Sequence, residues 1–343
     1  MEFFFFDPIK FGRFYNCSSY DVSMVPLDRR QKPLVGALTI ALGTILTCLY
    51  LPCLFALSRP KLIRQPCYQL MFFLGLVNVT ELCAAAICAG AFAIFGTVFC
   101  SQPTFMFWHG VLGTGLFFTE LMTSCSLALN RLLNFYNVLL AERFFGGLKT
   151  LFWILLFLAL TFWVSFWDPP HIYNPILNSF IQIPHYGYIE LDTESEAFLF
   201  PLWPRYFSVA ILCLTTLIYS AFLAIYISKR KQVITIGMDK KDKSVFVQVL
   251  WLSLLSFSVN LAYTFDREAS NLSFGQFIVP FYTYGFILYQ GSPPVIYLLL
   301  NKTIRRELNL DNTPTVHPIG ITNVKPFPIS VNVSKNGMMI PVK

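Results

Sequence analysis

The chain has 343 residues, 55% of them hydrophobic and only 13% charged, with a formal net charge of +7. A soluble fold of this size with so few charges would turn large apolar patches to water, so lipid is the solvent that suits it. The positive balance does not indicate nucleic acid, because Lys and Arg sit in short clusters between apolar runs and not along one stripe.

In chain order, residues 1–32 read as an outer amino-terminal segment. Its phenylalanines at 3–6 make too short a core for a signal peptide and run at once into Asp7 and Pro8. The first true span is therefore expected to direct insertion. A hydrocarbon core about 30 Å thick takes roughly 20 helical residues to cross. Runs of that size recur at 33–58, 67–95, 104–133, 150–167, 206–228, 244–265 and 277–300. The second holds one charge, Glu81; the third holds Glu120 and Arg131 near its end. Backbone groups in lipid must bond internally, so runs of this length are predicted to be helices. The expected fold is an all-α membrane protein, a seven-transmembrane helix bundle occupying 33–308 with a short terminal helix. The tail 309–343, rich in Pro, Asn, Thr and Val, is expected to be disordered and cytoplasmic.

Loop charges set the orientation. With the amino terminus outside, the inner loops carry Arg59, Lys61 and Arg64, then Arg143 and Lys149, then six Lys and Arg between 229 and 243; Lys302, Arg305 and Arg306 follow the last span. The outer loops carry only Arg205 and Arg267. Lys10, Arg13, Arg29, Arg30 and Lys32 vote the other way, and the later loops outvote them. The sequons at Asn16 and Asn271 both fall outside under this topology. Of nine cysteines only Cys17 and Cys100 lie outside, where a disulfide persists, so these two are expected to pair. The second outer loop, about 168–200, has no cysteine; Pro169, Pro170, His171 and His185 suggest an irregular lid.

Several segments carry a family pattern: Tyr15-Asn-Cys-Ser18 before span one, Ser58-Arg-Pro-Lys-Leu-Ile-Arg-Gln-Pro-Cys67 between spans one and two, Gly96-Thr-Val-Phe-Cys100 before span three, Leu127-Ala-Leu-Asn-Arg-Leu132 at its end, and Tyr289-Gln-Gly-Ser-Pro-Pro-Val-Ile-Tyr297 in span seven. Together they resemble the nematode serpentine chemoreceptors of class T over roughly residues 15–308. The resemblance implies a G-protein-coupled receptor with a heterotrimeric G protein and an unknown small-molecule ligand as partners, in the plasma membrane of sensory neurons. Against the broader rhodopsin-like pattern the chain departs in places. Asn130-Arg131-Leu132 stands where Asp-Arg-Tyr is usual, Pro293-Pro294-Val-Ile-Tyr297 where Asn-Pro-x-x-Tyr is usual, and span six has no proline.

Glu81 and Glu120 are the intramembrane charges, and a carboxylate at that depth costs several kcal/mol unless paired, hydrated or protonated. Asn78 stands, by the resemblance, where rhodopsin-like receptors keep a sodium-binding aspartate. Asn78 with Glu120 is thus a shifted sodium site, or Glu120 is a protonated acid bonding between helices. Glu81 and Glu120 with Phe117, Tyr263 and Tyr282 form the candidate ligand pocket, with Phe118 and Tyr284 at similar depth. Arg131, Pro294 and Tyr297 are the candidates for G-protein coupling. No zinc-protease, phosphate-loop or redox-cysteine motif is present, so neither catalysis nor a cofactor is expected. Two alternatives stay open: a seven-helix ligand-gated channel or transporter, and a receptor-like protein that binds without signalling.

Overall fold

The computed structural model of the chain describes residues 8–18, 21, 25–187, 202–232, 251, 254–255, 257–259 and 275–310. A short helix α1 (Pro8–Phe14) and a single turn α2 (Leu27–Arg30) precede the first long helix, α3 (Pro33–Leu57). The turn α4 (Pro60–Ile63) leads to α5 (Pro66–Leu82), which runs on through a π-helical stretch (Cys83–Cys88) into α6 (Ala89–Phe95). Next come α7 (Pro103–Tyr136), α8 (Val138–Phe145) and α9 (Lys149–Trp167). A hairpin of β1 (Ile172–Asn174) and β2 (Ser179–Ile181) separates α9 from α10 (Leu202–Gln232). The described chain closes with α11 (Gly275–Leu300) and α12 (Lys302–Glu307).

Local chemistry sets many of these bounds. Pro33, Pro60, Pro66 and Pro103 open their helices, where a missing N–H costs nothing. Asn137 caps α8 and Asn301 caps α12, each accepting from two backbone N–H groups. Gly96, with φ 62°, ends α6 in the left-handed conformation that suits glycine.

Five described helices are long and apolar enough to cross a bilayer: Leu27–Leu57, Pro66–Phe95, Pro103–Tyr136, Lys149–Trp167 and Tyr206–Ile225. Gly275–Leu300 adds 26 residues without a charge. The span predicted at 244–265 falls mostly outside the described residues, as do Tyr263, Asn271 and the tail beyond Leu310. Large apolar side chains such as Leu38, Ile45, Leu155 and Phe162 face outward. A lipid-facing surface calls for that arrangement.

The first two spans meet along small residues. A Cβ on Gly36 would lie 2.4 Å from the Gly90 carbonyl oxygen, and one on Gly43 would lie 2.5 Å from Ala86 Cβ. Backbones this close need glycine at the seam. α7 runs through the interior, with most of its upper two-thirds buried.

The described part of the amino-terminal segment is tied to the bundle. Cys17 and Cys100 are disulfide-bonded, with Cα atoms 5.4 Å apart. Phe11, Phe14 and Tyr15 pack with Phe99 and Phe107 beside that bond. Arg30 donates to the Gly96 carbonyl at 2.6 Å and Lys32 to the Ile176 carbonyl at 2.7 Å. These two cations, which opposed the charge count, thus meet backbone carbonyls; Arg30 sits at the negative end of α6.

The loop expected to be irregular begins as a hairpin. Asn174 Oδ1 accepts from the N–H groups of Ile176 and Leu177, Tyr173 donates its hydroxyl to Asn178 Oδ1 at 2.6 Å, and Asn178 takes φ 53°. Asparagine tolerates that conformation. Strands of three residues are too short to leave a periodic signal.

Candidate functional site

Buried polar side chains from four helices meet in the middle of the bundle. Glu120, 1% exposed on α7, accepts from the Tyr289 hydroxyl of α11 and from Ser124 Oγ at 2.8 Å. Glu81, 2% exposed on α5, accepts through Oε2 from Gln290 Nε2 of α11. Asn78 donates to the Tyr50 hydroxyl of α3 at 2.7 Å, and Tyr50 donates to the Gln290 carbonyl at 2.8 Å. Among the described residues no hydrogen bond joins Asn78 to Glu120; they connect through separate partners on α3 and α11. Four acceptor oxygens remain buried without a hydrogen-bond partner: Asn78 Oδ1, Glu81 Oε1, Glu120 Oε2 and Gln290 Oε1.

Towards the hairpin, this core opens into a cavity of ≈ 60 Å³. Glu81, His109, Phe117, His171, Phe180 and Tyr282 are among its lining residues. The π-helical turn shapes one wall. Its i→i+5 bonding leaves the Ala84 carbonyl placed to accept from His109 Nε2 at 3.2 Å as well as from the Ala89 N–H. The hairpin forms the roof: Asn178 donates to the Tyr284 hydroxyl at 3.1 Å, Ser179 and Thr283 hydroxyls meet at 2.9 Å, and Thr114 Oγ1 meets His171 Nδ1 at 3.2 Å. Phe118 instead packs away from the cavity, against Phe207.

Burial sets the charge states of the roof. His171 and His185 are pushed down to about 4 by desolvation. Asp168, which follows α9, is pushed up to about 8 by the same cause, and neither of its carboxylate oxygens has a hydrogen-bond partner. The roof is held in uncharged form near neutrality.

At the other end of the bundle a wider cavity of ≈ 560 Å³ is lined by Met71, Asn130, Arg131, Asn134, Phe222 and Asn301 among others. Arg131 donates to Met71 Sδ at 3.7 Å, and no carboxylate pairs with it among the described residues. Asn130 does not restrain Arg131; its Oδ1 accepts from Asn134 Nδ2 at 3.1 Å. Tyr297 is buried with Leu70, Leu127 and Ile304, and the Pro294 carbonyl accepts from Cys53 Sγ at 3.8 Å. Asn16 is exposed on the hairpin side.

The structure thus gathers Glu81, Phe117 and Tyr282 around one cavity and Arg131 at the other, while Glu120 lies in the polar core beside the first cavity and does not line it. It adds His109, Thr114, His171, Phe180 and Phe286 to the first, and Tyr289 and Gln290 to the polar core. The sequence marks His171 only as part of the lid and none of the others as a site residue, because each is an ordinary aromatic, histidine, hydroxyl or amide whose role depends on how its helix or hairpin is turned. Only the unusual density of polar side chains in span seven, Tyr289-Gln290 beside Ser292, could have drawn attention to them.

Residues 1–313 match the family described as serpentine type 7TM GPCR chemoreceptor Srt. The chain is also similar to Serpentine receptor class T-55 of Caenorhabditis elegans, 24% identical over 252 residues, which cover 70% of this chain and 63% of that protein. It spans under two-thirds of that relative's length. A bundle of long apolar helices, the cysteine-pinned entry to α7 and a family match over nine-tenths of the sequence agree: the chain belongs to the Srt family of serpentine seven-transmembrane chemoreceptors.

Proposed function

We propose that this chain is a receptor that detects a small molecule from the outer side of the plasma membrane and couples to a heterotrimeric G protein within, in a sensory cell as its family implies. One observation carries the reading. Two cavities lie at opposite ends of the same bundle; α5 and α7 line both, α11 lines the hairpin-end one, and the three helices are joined between the cavities by buried hydrogen bonds. Phe117 and Arg131 are fourteen residues apart on α7, about 21 Å of helix. A ligand that shifts α7 against α11 at one cavity therefore reshapes the other, provided it favours one arrangement of that interface.

In this reading Glu81, Phe117 and Tyr282 touch the ligand, and Arg131 lines the cleft that receives the G protein, while Pro294 and Tyr297 act from the packing of α11 against α3 and α5. Without a carboxylate beside it, Arg131 is held less firmly than an Asp-Arg pair would be, so basal signalling is raised. The test is a screen of small molecules on cells expressing the chain, with a G-protein readout and a current readout side by side. Arg131→Ala, at matched surface expression, is expected to abolish the G-protein response while ligand binding survives. Full signalling from that variant would reduce Arg131 to a topology anchor, and ligand-evoked current without G-protein activation would favour the channel reading.

A further inference from the structure

The seven apolar runs contain two carboxylates, Glu81 and Glu120, and a single Lys or Arg, which is Arg131 near the far end of α7. Among the described residues, the hairpin-end cavity has a buried acid in its wall and no Lys or Arg. One oxygen of that acid is satisfied by Gln290; the other, Glu81 Oε1, is buried with no hydrogen-bond partner. His109 Nε2 is committed to the Ala84 carbonyl, and the Thr114 hydroxyl to His171. Neither turns a donor to Glu81. The unpartnered side-chain atoms on Asn78, Glu81, Glu120 and Gln290 are all acceptors, and the one unpartnered hydroxyl near them among the described residues is Thr47 Oγ1, on α3 one turn from Tyr50. Among the described residues, the core has unpartnered acceptors in excess and no positive charge at the level of Glu81.

Taking the hairpin-end cavity as the ligand site, as the functional reading above does, we propose that the ligand is a small organic amine bound as its ammonium ion. Its N–H groups meet Glu81 Oε1 and its apolar body lies against Phe117, Phe180 and Phe286. An ammonium group supplies both missing items at once, a donor and a countercharge, and a buried carboxylate gains most from a partner that brings both. Aromatic faces around it attract a cation further. An alcohol of the same shape brings a donor but no charge. A carboxylic acid would set two anions together in low dielectric. The cavity of ≈ 60 Å³ restricts the body to a few carbon atoms.

The test uses purified full-length receptor in detergent and follows its melting temperature against three matched probes: propylamine, 1-propanol and butanoate, with the butyl series beside them. The amines are expected to stabilise at concentrations lower than the alcohols by about tenfold or more, and the acids not to stabilise at all. Glu81→Gln should erase the preference for amine over alcohol, and Glu81→Asp should keep part of it. The unmutated protein alone decides the matter if either variant fails to fold. Equal or better stabilisation by alcohols or acids overturns the amine assignment and leaves the receptor reading standing. Stabilisation by sodium in place of potassium, lost in Glu81→Gln and with nothing added by amines, assigns the site to an inorganic ion and overturns it too. A melting curve that no probe moves also overturns it, and the G-protein readout then judges the receptor reading separately.

Discussion

Tyr289 and Glu120 illustrate how single side chains hold this interior together. A carboxyl group at 1% exposure survives in a bundle only while donors face it, and here the donors are one hydroxyl from α11 and one from Ser124 on the next turn of α7. Tyr289→Phe keeps the ring and removes the O–H, stranding part of the acid. We expect the variant to lose about 1–3 kcal/mol of stability, the cost of an unsatisfied buried polar group, read as a lower melting temperature of the purified receptor. A curve matching the parent would mean that the pair contributes nothing net. The acids themselves were legible in the sequence, since one charge within twenty apolar residues stands out without a structure. Their partners were not. Whether Tyr289 or Leu288 turns towards α7 depends on how α11 is rotated in the bundle, and no local pattern in an all-apolar helix encodes that rotation. The same reason hid Gln290 and the bond from Asn78 to Tyr50.

At the scale of elements, the packing of α3 against α6 depends on the absence of side chains. Gly36→Leu would drive a side chain into the Gly90 backbone, where even a Cβ has only 2.4 Å. Little folded receptor should reach the surface, whereas Gly285→Ala, with nothing within 4 Å, should express as the parent does. Equal expression of the two variants would show that the seam can open. The hairpin roof depends on charge instead. Between about pH 4 and pH 6.5, His171 and His185 bind fewer protons folded than unfolded, so each favours the closed roof increasingly as pH rises through that window. Asp168 behaves oppositely: from 3.8 up to about 8 it holds a proton only when folded, so its contribution falls as pH rises. Two histidines outweigh one acid in the lower window, and the acid acts alone above it. Hydrogen-exchange protection of residues 172–187 should therefore peak near pH 6.5, and His185→Gln should flatten the acid side of that peak. A profile level from about pH 5 to about pH 8 would contradict this. Long helices were legible because twenty apolar residues have few other fates. The hairpin, α1 and the π-helical turn were not, being short and fixed by contacts from distant parts of the chain.

For the whole molecule the question is which face meets the cell exterior. The loop count of Lys and Arg answers it with the amino terminus outside, and the strongest objection came from the basic residues just before α3. Two of these now have another explanation. Arg30 and Lys32 are bound to the Gly96 and Ile176 carbonyls, holding the amino-terminal segment to the end of α6 and to the hairpin. Cations serving that purpose are needed whichever side they face, so they weigh less in the count. The bond between Cys17 and Cys100 adds an independent vote, because such a bond lasts only in an oxidising compartment. It closes a stretch of 83 residues, worth on the order of 4 kcal/mol in the chain-entropy model, so the fold has reason to keep it. Asn16 stands beside that bond, exposed, in an Asn-Cys-Ser triplet. If the amino terminus is outside, Asn16 passes through the lumen where glycans are attached. Receptor made in eukaryotic cells should then lose mass on treatment with an amidase that removes N-linked glycans. Asn271 carries the other outer sequon, so Asn16→Gln should remove part of that shift and Asn16→Gln with Asn271→Gln all of it. A receptor that reaches the surface with no amidase-sensitive mass, and whose amino-terminal epitope is reached by antibody only after permeabilisation, would invert the topology. The hairpin-end cavity would then open to the cytoplasm, and the assignment of ligand and G protein to the two ends would have to be exchanged.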